Sequence, residues 1–142
     1  MLAEQDPIPW PAAIALMVIV GVVLVGSGWL VIEVARRTAD GRLGPNGWAG
    51  TRTKATRSSP EAWQAAHKAG LDRTLQGGWA CIATGVLSIP IGLALGGDDA
   101  NRATTVWGVA VGVGSLILTI LIVMGAVQSQ AAAKRFGDAP SD

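Results

Sequence analysis

PAAIALMVIVGVVLVGSGWLVI, residues 11–32, contains no charged side chain in 22 positions. As an α-helix that rises about 1.5 Å per residue, this stretch would reach roughly 33 Å, which is enough to cross the hydrocarbon core of a bilayer. It is not preceded by the basic leader of a cleaved signal peptide, because Glu4 and Asp6 come before it. The stretch therefore predicts a retained transmembrane helix, which we place at residues 12–35.

Two further apolar runs follow it. Twenty-four uncharged residues separate Arg73 from Asp98, and 31 separate Arg102 from Lys134. Both runs are long enough to span a bilayer, and we place the second helix at 75–96 and the third at 104–130. A mean hydropathy of +0.42 over 142 residues agrees with this reading. The predicted fold class is an all-α integral membrane protein with three transmembrane helices.

Ten of the eleven basic residues would lie on the same side of these spans. Eight of the eleven lie between the first and second spans, and Lys134 and Arg135 follow the third. Because basic loops are retained in the cytoplasm during insertion, the N-terminus is predicted outside and the C-terminus inside. The remaining segments are then an external N-terminus (1–11), a cytoplasmic loop (36–74), an external loop (97–103) and a cytoplasmic tail (131–142).

Small residues recur at intervals of four within the second and third spans, a spacing that lets membrane helices approach closely. Such stripes suit contacts among the three helices or the docking of a partner, and the spacing alone leaves both open. The residues predicted for helix packing are Gly77, Cys81, Gly85, Gly92 and Gly96 in the second span, and Gly108 and Gly112 in the third.

The loop between the first two spans divides into two parts. Residues 38–56 are rich in Gly, Pro, Asn and Asp, which favours turns. The sequence Ser58-Ser59-Pro60-Glu61 then offers a capping box, with Glu61 three residues after Ser58. It predicts a short amphipathic helix at about 59–69, ended by Gly70, that lies on the inner membrane surface with Trp63 as its anchor.

Seven residues of this loop form an ordered motif: Asn46, Gly50, Arg52, Thr53, Thr56, Trp63 and His67. This motif resembles the SdpI (SdpI/YfhL) family of bacterial membrane immunity-type proteins. The resemblance implies a compact helical unit whose loop folds back on the inner face and, for the founding type, resistance to a secreted toxin with relay of its presence to a regulator. The founding type has additional N-terminal spans, whereas this chain has one helix before the motif.

Physical roles can be assigned to these motif residues from their chemistry. Arg52 offers a planar fork of donors suited to a lipid phosphate, a carboxylate or helix-end carbonyls. Asn46 and the two threonines can satisfy the backbone of a turn, and Gly50 permits a close approach or a positive φ. His67 lies one helical turn after Trp63, so both can face the same neighbour. As the sole histidine, it does not form a metal site alone.

The chain lacks the sequence signatures of common enzymes, such as a phosphate-binding loop or a nucleophile elbow. We therefore expect no enzymatic activity, no cofactor, and anionic lipid headgroups as a closer partner of the basic loop than nucleic acid. The excess of arginine over lysine fits a bacterial inner membrane. Two hypotheses remain: a protein that gives immunity to a peptide toxin or senses envelope stress, and an accessory subunit of a larger membrane complex such as a transporter or respiratory enzyme.

Overall fold

Three long helices make up most of the molecule. The computed structural model describes residues 8–45, 48 and 50–137, without the side chains of residues 136 and 137. Each helix is long and apolar enough to cross a membrane, and the described residues contain no strand. The predicted all-α membrane fold is confirmed. The helices are α1 (Trp10–Ala39), α2 (Pro60–Gly96) and α3 (Ala100–Gly137).

The helices run alternately up and down, so their ends form two groups. The end that contains the last turn of α1, the first turns of α2 and the last turns of α3 is called the motif end. The opposite end of the three-helix bundle is called the far end. The segment from residue 40 to residue 59, which joins α1 to α2 at the motif end, is called the motif loop. All three helices extend beyond the predicted spans 12–35, 75–96 and 104–130.

The start of α2 differs from the sequence-based expectation in its cap. Ser59 is the capping residue, and its hydroxyl accepts a hydrogen bond from the Ala62 N–H at 3.1 Å. The Ser58 hydroxyl instead donates to the Ala55 carbonyl at 2.8 Å, so Ser58 and Glu61 do not form the expected capping box. Pro60 occupies the first turn, where its missing N–H costs little.

The short separate helix expected at 59–69 is not present as an independent element. Its residues form the first turns of α2, which continues through Gly70 without a break. Gly70 serves close packing instead, because a Cβ at this position would lie 2.5 Å from the Gly125 carbonyl oxygen of α3 and would collide with the Ser129 hydroxyl. The same residue type that ends many helices here allows two helix backbones to meet.

α2 is the central helix and packs along both of the others. Against α1, a Cβ on Gly85 would lie 2.8 Å from the Gly21 carbonyl oxygen, and one on Gly28 would lie 2.6 Å from that of Gly78. Between these pairs, the Cys81 thiol donates a hydrogen bond to the Leu24 carbonyl at 3.2 Å. The α1–α2 contact therefore depends on small residues that allow the backbones to approach.

The contact between α2 and α3 uses other small residues. A Cβ on Gly77 would lie 2.9 Å from Ile122, and one on Gly92 would lie 2.6 Å from the Cβ of Trp107. Gly96 lies against the backbone of Ala103 at the far end. Here, too, added side chains would separate the helices.

Gly108 and Gly112 do not take part in this packing, so of the two roles that their spacing left open, contact with the other two helices does not apply to either. Each is exposed, and a Cβ on either would meet no atom within 4 Å. The glycines of α3 that face α2 are Gly114, next to Thr84, and Gly125, next to Gly70. The four-residue spacing of Gly108 and Gly112 was visible in the sequence, but the face of α3 on which they lie was not.

α1 and α3 meet at the far end, where Met17 packs with Ala103 and Trp107. Trp10 and Val111 cover the edges of this cluster. At the motif end the two outer helices leave an opening between them. The helices therefore form a wedge, closed at the far end and open below the motif loop.

Replacing Gly85 by valine should lower the free energy of unfolding by about 1–3 kcal/mol, as for other overpacked interiors, because the new side chain meets the Gly21 backbone. The matched control is Gly108→Val on the exposed face of α3, which should change stability by no more than about 0.5 kcal/mol. Thermal unfolding of both purified variants in one detergent measures the difference. Equal stability would contradict the described α1–α2 contact.

Candidate functional site

Three threonines organise the second half of the motif loop. Thr56 is fully buried, and its hydroxyl donates a hydrogen bond to the Thr51 carbonyl at 2.7 Å. The same hydroxyl accepts a bond from the Thr53 N–H at 2.9 Å, while the Thr56 N–H donates to the Thr53 hydroxyl at 3.2 Å. These reciprocal bonds close the chain into a compact turn, in which the side chains satisfy the backbone.

Trp63 fixes the first half of the loop. Its side chain is 1% exposed, and the indole N–H donates to the Leu43 carbonyl at 2.8 Å. One residue further along α2, the Gln64 amide donates a longer bond of 3.4 Å to the Ala39 carbonyl at the end of α1. Trp63 therefore lies inside the protein and holds the chain that leaves α1. The expectation that it anchors a surface helix in lipid is wrong.

His67 joins the two halves of the motif. The Thr51 N–H donates to His67 Nε2 at 3.0 Å, so Nε2 is the acceptor and the ring is neutral. Nδ1 then carries the proton and donates it to the Trp63 carbonyl at 2.8 Å. The imidazole also lies against the Trp63 ring, with 4.2 Å between the centroids. Both ring nitrogens are thus engaged within the protein.

The environment of His67 favours this neutral form. His67 lies in the polar first turns of α2, before Lys68, Asp72 and Arg73 and outside the apolar stretch of the helix. Burial lowers the pKa of His67 below its ordinary value, an effect larger than the opposing one of its hydrogen bond to the Trp63 carbonyl. The charged form would also replace the acceptor at Nε2 by a donor and lose the bond from Thr51.

The contact between the motif loop and His67 requires glycine at residue 50. Its φ of +87° lies in the region that side chains disfavour. A Cβ at this position would collide with His67 Nε2 and lie 3.2 Å from the Trp63 ring. Glycine at residue 50 therefore lets the loop backbone approach the imidazole.

Five of the motif residues thus form one connected unit: Gly50, Thr53, Thr56, Trp63 and His67. Arg52 lies within this turn and is exposed at its surface, and Asn46 lies outside the described residues. Sequence reasoning did not identify Thr51 or Leu43, which contribute backbone groups. Because any residue type supplies such groups, the sequence carried no signal for either position.

A cavity of about 460 Å³ lies between α1 and α3 below this unit. Gly50, Thr51 and His67 close it at the motif end, and α2 forms its floor. The wall hydroxyls of Thr38 and Thr74 are bonded to carbonyls of their own helices at 2.9 Å, so the walls present an apolar surface. The other lining residues are Leu30, Val31, Val34, Ala35, Leu71, Ile122, Ala126 and Ser129.

The model of the SdpI/YfhL protein family matches residues 42–125, more than half of the chain. This chain belongs to the SdpI/YfhL family. Among curated proteins and solved structures, no match was found. The SdpI match contains the described motif residues, all of α2 and α3 as far as Gly125. α1 lies outside it, so the cavity is lined on one side by the helix that precedes the matched region and elsewhere mainly by the matched region itself.

The connected motif residues bring together hydroxyl, imidazole and indole groups, and the hydrogen bonds described above for them join no carboxylate. Within the part of the chain that the structure describes, no group of three His, Cys, Asp or Glu side chains could hold a metal ion. The hydrogen bonds of this unit hold the motif loop against the first turns of α2.

Replacing Gly50 by alanine should detach the SdpI motif loop from His67. We expect the free energy of loop opening to fall by about 1–3 kcal/mol, because alanine is strained at positive φ and its Cβ meets the imidazole. Hydrogen exchange at the Thr51 amide measures this opening.

Gly44→Ala is the matched control, since Gly44 has no positive φ and a Cβ there would meet nothing within 4 Å. Equal exchange at Thr51 in both variants would contradict the role assigned to Gly50.

Acidification should also release the loop. The bond from Thr51 requires neutral His67. Its contribution to the free energy of loop opening is therefore complete above the ordinary histidine pKa of about 6.5, and it is lost as the pH falls through the lowered pKa of His67 in the folded state. Protection of the Thr51 amide, corrected for the intrinsic effect of pH on exchange, should decline from pH 7.5 towards pH 5. His67→Gln, which does not titrate, should remove this dependence. Constant protection of the Thr51 amide in the unaltered protein would contradict the release of the loop by acid.

Proposed function

We propose that this protein is a non-enzymatic SdpI-type membrane protein that gives immunity to a membrane-active peptide toxin or senses envelope stress. The observation that carries the proposal is the motif unit itself, a loop tied to α2 through His67 that closes an apolar cavity between two helices. A fixed loop beside an opening to the membrane interior is suited to recognising a membrane-active molecule.

The engagement of the motif side chains supports recognition over catalysis. His67 uses both ring nitrogens to hold the loop, and the Thr56 hydroxyl is bonded to the backbone of the turn. A general base or nucleophile needs a group directed at its substrate. The motif residues instead direct their polar groups at one another.

The basic residues support a cytoplasmic position for the motif end, with the N-terminus outside and the C-terminus inside a bacterial inner membrane. Ten of the eleven lie in residues 36–73 and 134–135, which the fold gathers at one end. Labelling of intact cells with an impermeant maleimide tests this orientation. Asp99→Cys should react at once and Ser58→Cys only after permeabilisation, both in a Cys81→Ser background; the reverse pattern would contradict it.

Deletion of the gene should sensitise cells to concentrated spent medium from stationary cultures of their own species. The unaltered protein should restore resistance, whereas Gly50→Ala and Arg52→Ala should not, because one detaches the loop and the other removes its exposed guanidinium. Growth inhibition is measured at equal membrane levels of each variant. Arg102→Ala, at the exposed far end, is the matched control and should protect normally. If the deletion strain is no more sensitive to the spent medium than the parent strain, the proposal is contradicted.

The exposed glycines of α3 favour a second candidate, an accessory subunit of a larger membrane complex such as a transporter or respiratory enzyme. Gly108 and Gly112 lie on one face, where a Cβ on either would meet nothing within 4 Å. Such a face permits close approach of a partner helix. This candidate predicts a large stoichiometric assembly in mild-detergent extracts of native membrane. Recovery as a free monomer or small homo-oligomer counts against it.

A further inference from the structure

We propose that the cavity below the motif loop is a binding site for one hydrocarbon chain of an anionic lipid, whose headgroup lies among the basic residues of the motif end. This site goes beyond the protective role and does not depend on it. Size, wall chemistry, access and charge each support the assignment.

The size of the cavity suits a bound ligand. Its volume of about 460 Å³ falls within the roughly 300–1,000 Å³ of small-molecule sites. The far end of the opening is closed, because Met17 of α1 packs there with Trp107 of α3. A bound chain would therefore enter from the side and lie along α2, with its polar end directed to the motif end.

The wall chemistry selects an apolar occupant. Leu71, Ile122 and Ala126 line the cavity, and the hydroxyls of Thr38 and Thr74 are already bonded to helix carbonyls. A polar ligand would find few partners on these walls, and water gains little in an apolar space. A hydrocarbon chain needs no hydrogen bonds and fills such a space by dispersion contacts.

Access to the cavity comes from the lipid layer. Leu30 lines it and is also 57% exposed on the outer surface of α1. The cavity thus reaches the surface of the bundle that the hydrocarbon chains of the bilayer contact. A lipid can place one chain between α1 and α3 without leaving the membrane.

Charge complementarity selects an anionic headgroup. Residues 33–73 and 134–135 contain ten basic and four acidic side chains. Two of the acidic residues are already paired, Glu33 with Arg37 at 2.6 Å and Asp40 with Arg42 at 2.8 Å. Arg52 and Lys68 are exposed and directly follow Thr51 and His67, which close the cavity. Each basic residue near a membrane surface adds about 1 kcal/mol of attraction for anionic lipid.

Native mass spectrometry of the purified full chain, titrated with phosphatidylglycerol or phosphatidylcholine of identical chains, tests the site. We expect one retained phosphatidylglycerol per protein and at least about tenfold weaker retention of phosphatidylcholine, a difference of about 1.4 kcal/mol. Neutralising Arg52 and Lys68 together by glutamine should reduce this preference. Equal retention of the two lipids, or a copurified peptide in place of lipid, would overturn the proposal.

Two variants separate the cavity from general lipid contact. Ala126→Trp places a large ring inside the cavity and should weaken phosphatidylglycerol retention at least about tenfold, or about 1.4 kcal/mol. Leu30→Trp blocks the mouth and should act in the same direction even where Ala126→Trp fails to fold. Val109→Trp, on the exposed surface of α3 away from the cavity, is the matched control. Equal weakening by the control would show ordinary surface lipid and overturn the site.

Discussion

The hydrogen bond from the Thr51 N–H to His67 Nε2 is the interaction on which the motif end depends. It exists only when the imidazole is neutral, and the bond from Nδ1 to the Trp63 carbonyl fixes the proton on the other nitrogen. It also requires glycine at residue 50, because a side chain there would occupy the position of the imidazole. One contact between a loop and a helix thus explains the residue types at several motif positions.

The packing of the helices explains why the loop closes a cavity. α2 contacts α1 and α3 through small residues, which fixes the two outer helices on either side of it. Met17 and Trp107 fill the space between the outer helices at the far end. At the motif end the residues between them are smaller, such as Ala35 and Ala126, and the space remains open. The loop attached to His67 lies across that end.

Charge and hydropathy were sufficient to predict the three helices and the loop that carries the motif, because a bilayer imposes both length and apolarity on a span. They were not sufficient to orient the small residues. Lipid and helix interior are both apolar, so Gly108 on an exposed face and Gly85 in a contact have the same sequence signal. From the sequence, Gly70 could either end a helix or allow a second helix to approach closely. The position of Gly125 of α3 against Gly70 shows the second role. Trp63 suits an interface as well as an interior, and the bond to Leu43 decides for the interior.

The state of His67 is the most direct test of this account, and the chain offers a clean probe because it contains a single histidine. Nitrogen NMR of protein labelled with ¹⁵N-histidine and ¹⁵N-threonine reports both the tautomer and its partner. At pH 7.5 the account predicts a neutral ring protonated at Nδ1, with Nε2 coupled through a hydrogen bond to the Thr51 amide. A ring protonated at Nε2, or charged at this pH, would contradict it.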